Sequence, residues 1–118
     1  MPAGPIGLVE VEERAWVEVD LAALWANYRL LAGRAGGEVI PVLKADAYGH
    51  GALPLARFLE GKGVGRFAVA TLEEGRRLRE GGIKREALLL GSLHPLEAEE
   101  ASALGVVPTL STRQAAEA

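Results

Sequence analysis

Four short apolar strands alternating with helices, at a spacing of roughly twenty residues, predict an α/β fold of parallel strands. Two architectures fit that alternation. A doubly wound open sheet needs a Gly-rich phosphate loop after its first strand, but Gly49, His50, Gly51, Ala52, Leu53, Pro54 does not complete GxGxxG, and GxxxxGK(S/T) is absent. The other is a (β/α)8 TIM barrel, which normally needs about 250 residues. The chain is therefore read as the N-terminal half of such a barrel, about four βα units preceded by a short strand and a helix. Residues 1–13 are expected to be a loose lead-in and residues 14–118 the N-terminal portion of a truncated barrel domain, because four strands would leave unpaired edges and the last helical pattern is still under way at Ala118.

Taken in order, Met1 to Gly7 is rich in Pro and Gly. From Arg14 to Val19 a short alternating strand sets Val17 and Val19 on one face and Trp16 and Glu18 on the other. Asp20 stands where an N-cap belongs, and Leu21, Leu24, Tyr28 and Leu31 recur at helical spacing, predicting a helix to about Ala32 closed by Gly33. Val39 to Leu43 reads as a strand buried on both faces. Leu53, Leu55, Ala56 and Leu59 mark a helix with Pro54 in its first turn. Arg66 to Ala70 is the next strand, and Thr71 with Glu74 forms a capping box opening a helix that stops at Gly81 and Gly82. Ala87 to Leu90 is a third strand, followed by a loop to Pro95 and a helix through about Leu104. Val106 to Leu110 is a fourth, and Ser111 or Thr112 caps a last helix.

Composition narrows the function classes. With 49% hydrophobic and 25% charged residues, the chain has the make-up of a soluble globular protein. Thirteen basic against sixteen acidic residues give a net charge of −3, which argues against a general attraction to nucleic acid or anionic lipid. The absence of cysteine removes thiolate chemistry and Cys-containing zinc sites, and no metal site is expected from two histidines without ligand spacing. No apolar run approaches the ~20 residues of a membrane span, and Met1 to Leu8 lacks the pattern of a signal peptide, so a cytoplasmic location is expected.

Lys44 is the residue that the strand and helix pattern leaves unexplained. An ammonium at the end of an apolar strand either snorkels to solvent or is held there for chemistry, which for lysine usually means a Schiff base or a lowered pKa. Tyr48 follows with an aromatic face and a hydroxyl, and Gly49 and Gly51 let the backbone turn tightly or approach a ligand. Strand, loop and helix in that order form a βα unit whose C-terminal end carries the site in barrels. His50 reads as an exposed or capping residue, and His94, just before Pro95, carries even less signal. Glu73 and Arg77, at i,i+4, read as a solvated ion pair.

The run Val42, Leu43, Lys44, Ala45, Asp46, Ala47, Tyr48, Gly49, His50, Gly51 closely resembles the pyridoxal-phosphate attachment motif of bacterial alanine racemases. Trp16 to Leu21 resembles that family's N-terminal strand and helix cap, Ala68 to Ala70 with Glu73 and Glu74 its next βα unit, and Leu89 to Gly91 the one after. Asp46 stands where many members have Asn. The resemblance implies that Lys44 holds pyridoxal 5'-phosphate as an internal aldimine and then acts as base on one face of the α-carbon. It implies that Tyr48 hydrogen-bonds the cofactor phosphate and that Val42 and Leu90 pack near the cofactor ring. It further implies a homodimer interconverting L- and D-alanine, supplying D-alanine for peptidoglycan, with the second base a tyrosine of the partner subunit outside this stretch. On that reading the 118-residue chain alone is expected to be inactive. A pyridoxal-phosphate carrier without turnover, or a broader-specificity racemase or decarboxylase on the same barrel, is the alternative.

Overall fold

The computed structural model describes residues 18–118. The expected lead-in and the strand around Trp16, apart from Glu18 and Val19, lie outside the described residues, and Glu18 and Val19 are in no regular element. Helix α1 (Leu21–Ala35) opens as its cap residue dictates, with Asp20 Oδ1 accepting the Ala23 N–H at 3.0 Å. It runs through Gly33 and ends instead at Gly36, which takes the left-handed C-cap conformation. Inside it, Tyr28 stacks on Trp25 at 5.2 Å between ring centroids. The Tyr28 hydroxyl donates to Val39 O at 3.2 Å, fastening the segment that leads to Lys44.

The expected strand over Val39 to Leu43 is narrower in the structure, a single parallel bridge between Val42 and Ala68. Two hydrogen bonds make it, from Ala68 N to Pro41 O at 2.9 Å and from Leu43 N to Ala68 O at 2.8 Å. Its length is limited at both ends, because Pro41 has no N–H to donate and the chain leaves extended geometry directly after Leu43. One turn, α2 (Lys44–Tyr48), and then α3 (Ala52–Gly61) follow.

The remaining units match the expected order. Strands β1 (Arg66–Val69), β2 (Glu86–Ser92) and β3 (Val106–Thr109) form a parallel sheet in the order β1-β2-β3. Between them lie α4 (Leu72–Glu80), a 3-10 turn at Pro95–Glu97, and α5 (Ala98–Leu104), with the short α6 (Arg113–Glu117) after β3. Thr71 and Glu74 form the capping box of α4, and Thr112 rather than Ser111 caps α6 through the Ala115 N–H. His94 caps the 3-10 turn, its Nδ1 accepting from Leu96 N at 3.0 Å.

Register explains which apolar residues are covered. Val42, Ala68, Leu88 and Val107 stand side by side across the strands, so their side chains share one face of the sheet. The opposite face carries Phe67, Val69, Ala87, Leu89 and Val106, all in one buried cluster with Leu43, Leu55, Leu59, Leu72, Leu78 and Ala101. The helices cover that face only. Val42 is 41% exposed, so the strand over Val39 to Leu43, expected to be buried on both faces, is buried on one, and Leu90 on the same face is 49% exposed.

A single guanidinium ties the sheet together at the end away from Lys44. Arg79 donates from Nε to Leu104 O at 2.7 Å, from Nη1 to Ile83 O at 3.0 Å and Arg85 O at 2.8 Å, and from Nη2 to Gly105 O at 3.2 Å. Its partners are the backbone links into β2 and β3, so it fixes the height at which both strands start. Elsewhere the Glu73 and Arg77 pair forms as expected, at 2.9 Å, and Arg76 joins α4 to α5 through Glu100 at 2.6 Å. The hydrogen bond and charge of Arg76 hold the Glu100 carboxyl below its ordinary pKa. Any stabilisation from this exposed pair is therefore fully present above the ordinary carboxylate range and is lost as pH falls below that range through the lowered folded-state pKa.

Arg79→Lys keeps the charge but loses the planar fork that serves four carbonyls. The expected result is a loss of about 2–3 kcal/mol in urea unfolding, with an unchanged m-value. A loss under about 0.5 kcal/mol would show that the carbonyls find other donors.

Candidate active site

The backbone after Leu43 does something that L-residues seldom do. Ala45, Asp46, Ala47 and Tyr48 have φ of 54°, 55°, 57° and 55°, so α2 winds left-handed through four consecutive residues, none of them glycine. Left-handed helix costs roughly 1–2 kcal/mol per L-residue, or about 4–8 kcal/mol here. Single visits are ordinary; a run of four needs external support.

That support is on all sides of the turn. Leu43, 1% exposed, anchors its start in the core, and Ala47 is buried beneath it. Leu43 O accepts the Ala47 N–H at 3.0 Å, and Asp46 O accepts from Gly49 N at 3.1 Å and Gly51 N at 3.0 Å. Ala47 O accepts from His50 N at 3.1 Å and from the His50 ring at 2.8 Å, which puts the ring proton on Nδ1. The Asp46 carboxylate accepts Ala52 N at 2.8 Å, satisfying a free donor at the start of α3. Glu74 Oε2 accepts Ala45 N at 2.9 Å. These seven hydrogen bonds, at roughly 1 kcal/mol each, are of the same size as the strain. Gly49 and Gly51, at φ of 89° and 90°, carry the chain out of the turn where a side chain would be strained further.

The result is a short rigid platform. Lys44 and Tyr48 sit at its two ends, with Lys44 Nζ 5.9 Å from the centroid of the Tyr48 ring, and Tyr48 is 67% exposed. Of the four residues singled out in the sequence, the structure brings these two together. Val42 and Leu90 are half-exposed on strands that flank β1 on its two sides. Val42 pairs with Ala68, whose neighbour across β2 is Leu88, and Leu90 lies two residues further along the same strand. Gly91 permits this end of β2 to approach β1, since its N–H donates to Ala70 O at 3.2 Å and a methyl there would collide with that oxygen.

Comparison with known proteins places the chain in a family. A family model described as "Alanine racemase, N-terminal domain" matches residues 19–118. The chain belongs to the alanine racemase N-terminal domain family. A curated relative, alanine racemase of Carboxydothermus hydrogenoformans, is 44% identical over 102 residues, covering 86% of this chain and 28% of that protein. Among solved structures, alanine racemase from Bacillus anthracis with bound L-Ala-P superposes with a TM-score of 0.83 at 32% identity, over 92% of this chain and 29% of that one. Alanine racemase from Bartonella henselae, solved with covalently bound pyridoxal phosphate, gives 0.69 at 35% identity over 76% and 27%. A histidine racemase from Leuconostoc mesenteroides gives 0.75 at 29% identity over 82% and 27%. The chain spans between 20% and 30% of the length of the curated relatives it matches. Its parallel strands and intervening helices are the N-terminal part of the barrel seen in these alanine racemase structures.

Two residues of the turn exceed what their sequence signals suggested. Glu74 is legible as the third residue of a capping box, but its second oxygen reaches 29 positions back to Ala45. Asp46 stood out only as a departure from Asn, whereas its carboxylate is the acceptor for Ala52, a role that an Asn oxygen fills equally. Nothing in the residue types of Ala45, Ala47 and Tyr48 signals a left-handed run.

Ala45 is exposed and left-handed, so Ala45→Gly should relieve strain without opening a cavity. We expect stability to rise by about 0.5–1 kcal/mol by urea unfolding, the reverse of the usual cost of glycine. A loss of about 1 kcal/mol would mean that Ala45 is not left-handed in solution.

Proposed function

We propose that residues 14–118 form the N-terminal portion of a (β/α)8 barrel domain whose Lys44 binds pyridoxal 5'-phosphate, in a homodimeric cytoplasmic enzyme interconverting L- and D-alanine for peptidoglycan. The observation that carries this reading is Lys44 at the head of a rigid left-handed turn, with Tyr48 at its foot, in a chain of the alanine racemase family. The chemistry of the donors fits the cofactor. Lys44 offers an amine for covalent attachment, Tyr48 an exposed hydroxyl for a phosphate oxygen, and Val42 and Leu90 half-exposed apolar side chains for a ring. The covalently bound pyridoxal phosphate of the Bartonella relative supports the same assignment.

Pyridoxal phosphate supplies an electron sink that makes the α-proton of a bound amino acid acidic. This chain's residues orient the group and move a proton. Lys44 would hold the cofactor through Nζ, and the same amine would take the α-proton on one face of the α-carbon and return it. Inversion needs a proton donor on the opposite face, and in this reading the partner subunit supplies it. Tyr28 is committed elsewhere, stacked on Trp25 and bonded to Val39 O. Tyr48 orients the phosphate and thereby the ring. The apolar side chains of Val42 and Leu90 exclude water from one side of the ring.

The histidine racemase neighbour favours a second reading in which the substrate is a larger amino acid, since its fold over the same stretch is similar. Substrate size is then decided by residues other than these.

In the full-length protein, incubation with pyridoxal phosphate, borohydride reduction and peptide mapping should put the label on Lys44. Lys44→Ala should lose the label and at least about 10²-fold in alanine racemisation, the lower range for removing a general base. Tyr48→Phe should weaken cofactor affinity by about tenfold. Label on Lys62 or Lys84 in place of Lys44, or unchanged D-alanine formation by Lys44→Ala, would overturn the proposal.

A further inference from the structure

Glu74 accepts more than a capping box requires. Oε1 takes the N–H of Ala70 at 2.7 Å and of Thr71 at 3.1 Å, which serves the start of α4, while Oε2 takes the Ala45 N–H at 2.9 Å. A cap needs only the first oxygen. The second joins the end of β1 to the residue after Lys44.

A peptide unit is planar, so a hydrogen bond at either end restrains the whole unit. The unit joining Val42 to Leu43 is held by Leu43 N on Ala68 O, and the unit joining Leu43 to Lys44 by Leu43 O on Ala47 N. The unit joining Lys44 to Ala45 is held by Ala45 N on Glu74. Both peptides that flank the Lys44 α-carbon are thus pinned, one from inside the turn and one from α4, and together they set the direction of its Cα–Cβ bond. We propose that Glu74 is a positioning residue for Lys44, acting through the Ala45 N–H to aim the lysine side chain. This inference rests on the reading of Lys44 as the cofactor anchor.

Glutamine separates the two roles of Glu74. Its one oxygen can serve Ala70 and Thr71, two donors, which leaves its NH2 opposed to the Ala45 N–H. Glu74→Gln is expected to keep the cap and lose the tether. Thr71→Ala is the complement, removing the hydroxyl that accepts Glu74 N at 3.2 Å while leaving Ala45 on Glu74.

In the full-length protein, labelling by pyridoxal phosphate and borohydride is measured as the rate at Lys44 relative to Lys62 and Lys84, beside amide hydrogen exchange at Ala45 and the melting midpoint. Glu74→Gln should lower the preference for Lys44 about tenfold and speed Ala45 exchange by a similar factor, with a midpoint loss no larger than that of Thr71→Ala. Thr71→Ala should lower the midpoint and leave both the preference and the exchange near parental values. Parental labelling of Lys44 in a folded Glu74→Gln, or an unprotected Ala45 amide in the parent, overturns the inference. If the parent shows no preference for Lys44, the reading of Lys44 as anchor fails, and the inference built on it falls with it; Ala45 exchange then reports separately whether the tether exists.

Discussion

Four L-residues wound left-handed, Ala45 to Tyr48, form the constraint on which the rest of the site depends. In this conformation one turn brings the ends of the segment, Lys44 and Tyr48, within 5.9 Å and reverses the chain into α3 without a long loop. The cost is comparable to the stability of a small domain, so the surroundings cannot be indifferent to it. Hydrogen bonds with Gly49, His50, Gly51, Ala52 and Glu74 converge on those few residues, while the neighbouring helices need only ordinary caps. Strain held this way is a form of preorganisation, because a side chain fixed by an over-determined backbone has little freedom left to lose on binding.

The sheet provides the frame in which such a turn can be held. Leu43 is locked into the helix-covered core, and its N–H is bonded to Ala68, so the turn begins from a fixed point. At the far end of the sheet Arg79 sets the starting height of β2 and β3, and at the near end the Gly91 N–H draws β2 against Ala70. The two ends carry different duties. Backbone carbonyls gathered on one guanidinium stabilise the fold at one end, and the half-exposed apolar side chains of Val42 and Leu90 lie toward the other.

Much of this was readable from residue types. Asp20, Thr71 with Glu74, and Thr112 are side chains whose oxygens suit free helix N–H groups, and each caps the helix it precedes. The run from Val42 to Gly51 pointed to Lys44 and Tyr48, and these two are neighbours in space. What escaped the sequence has a common cause. The turn at Ala45 is dictated by contacts from Glu74 and from the core under Ala47, not by the local preferences of alanine, so neither period nor propensity could disclose it. Burial of the strand from Val39 to Leu43 on one side only follows from its place in the sheet, which a continuous apolar run does not specify. The helix running on past Gly33 shows the same limit, since a glycine can remain in a helix when a later one offers the better cap.

Left-handed geometry at Ala45, Asp46, Ala47 and Tyr48 in solution is what fixes Lys44. Intraresidue amide-to-α-proton nuclear Overhauser effects test it directly, because positive φ brings those two protons closer than any other allowed backbone conformation does. The account predicts strong intraresidue effects at all four residues, and ordinary ones through α3 and α4. Weak effects across the four, with the pattern of a right-handed turn, would contradict it.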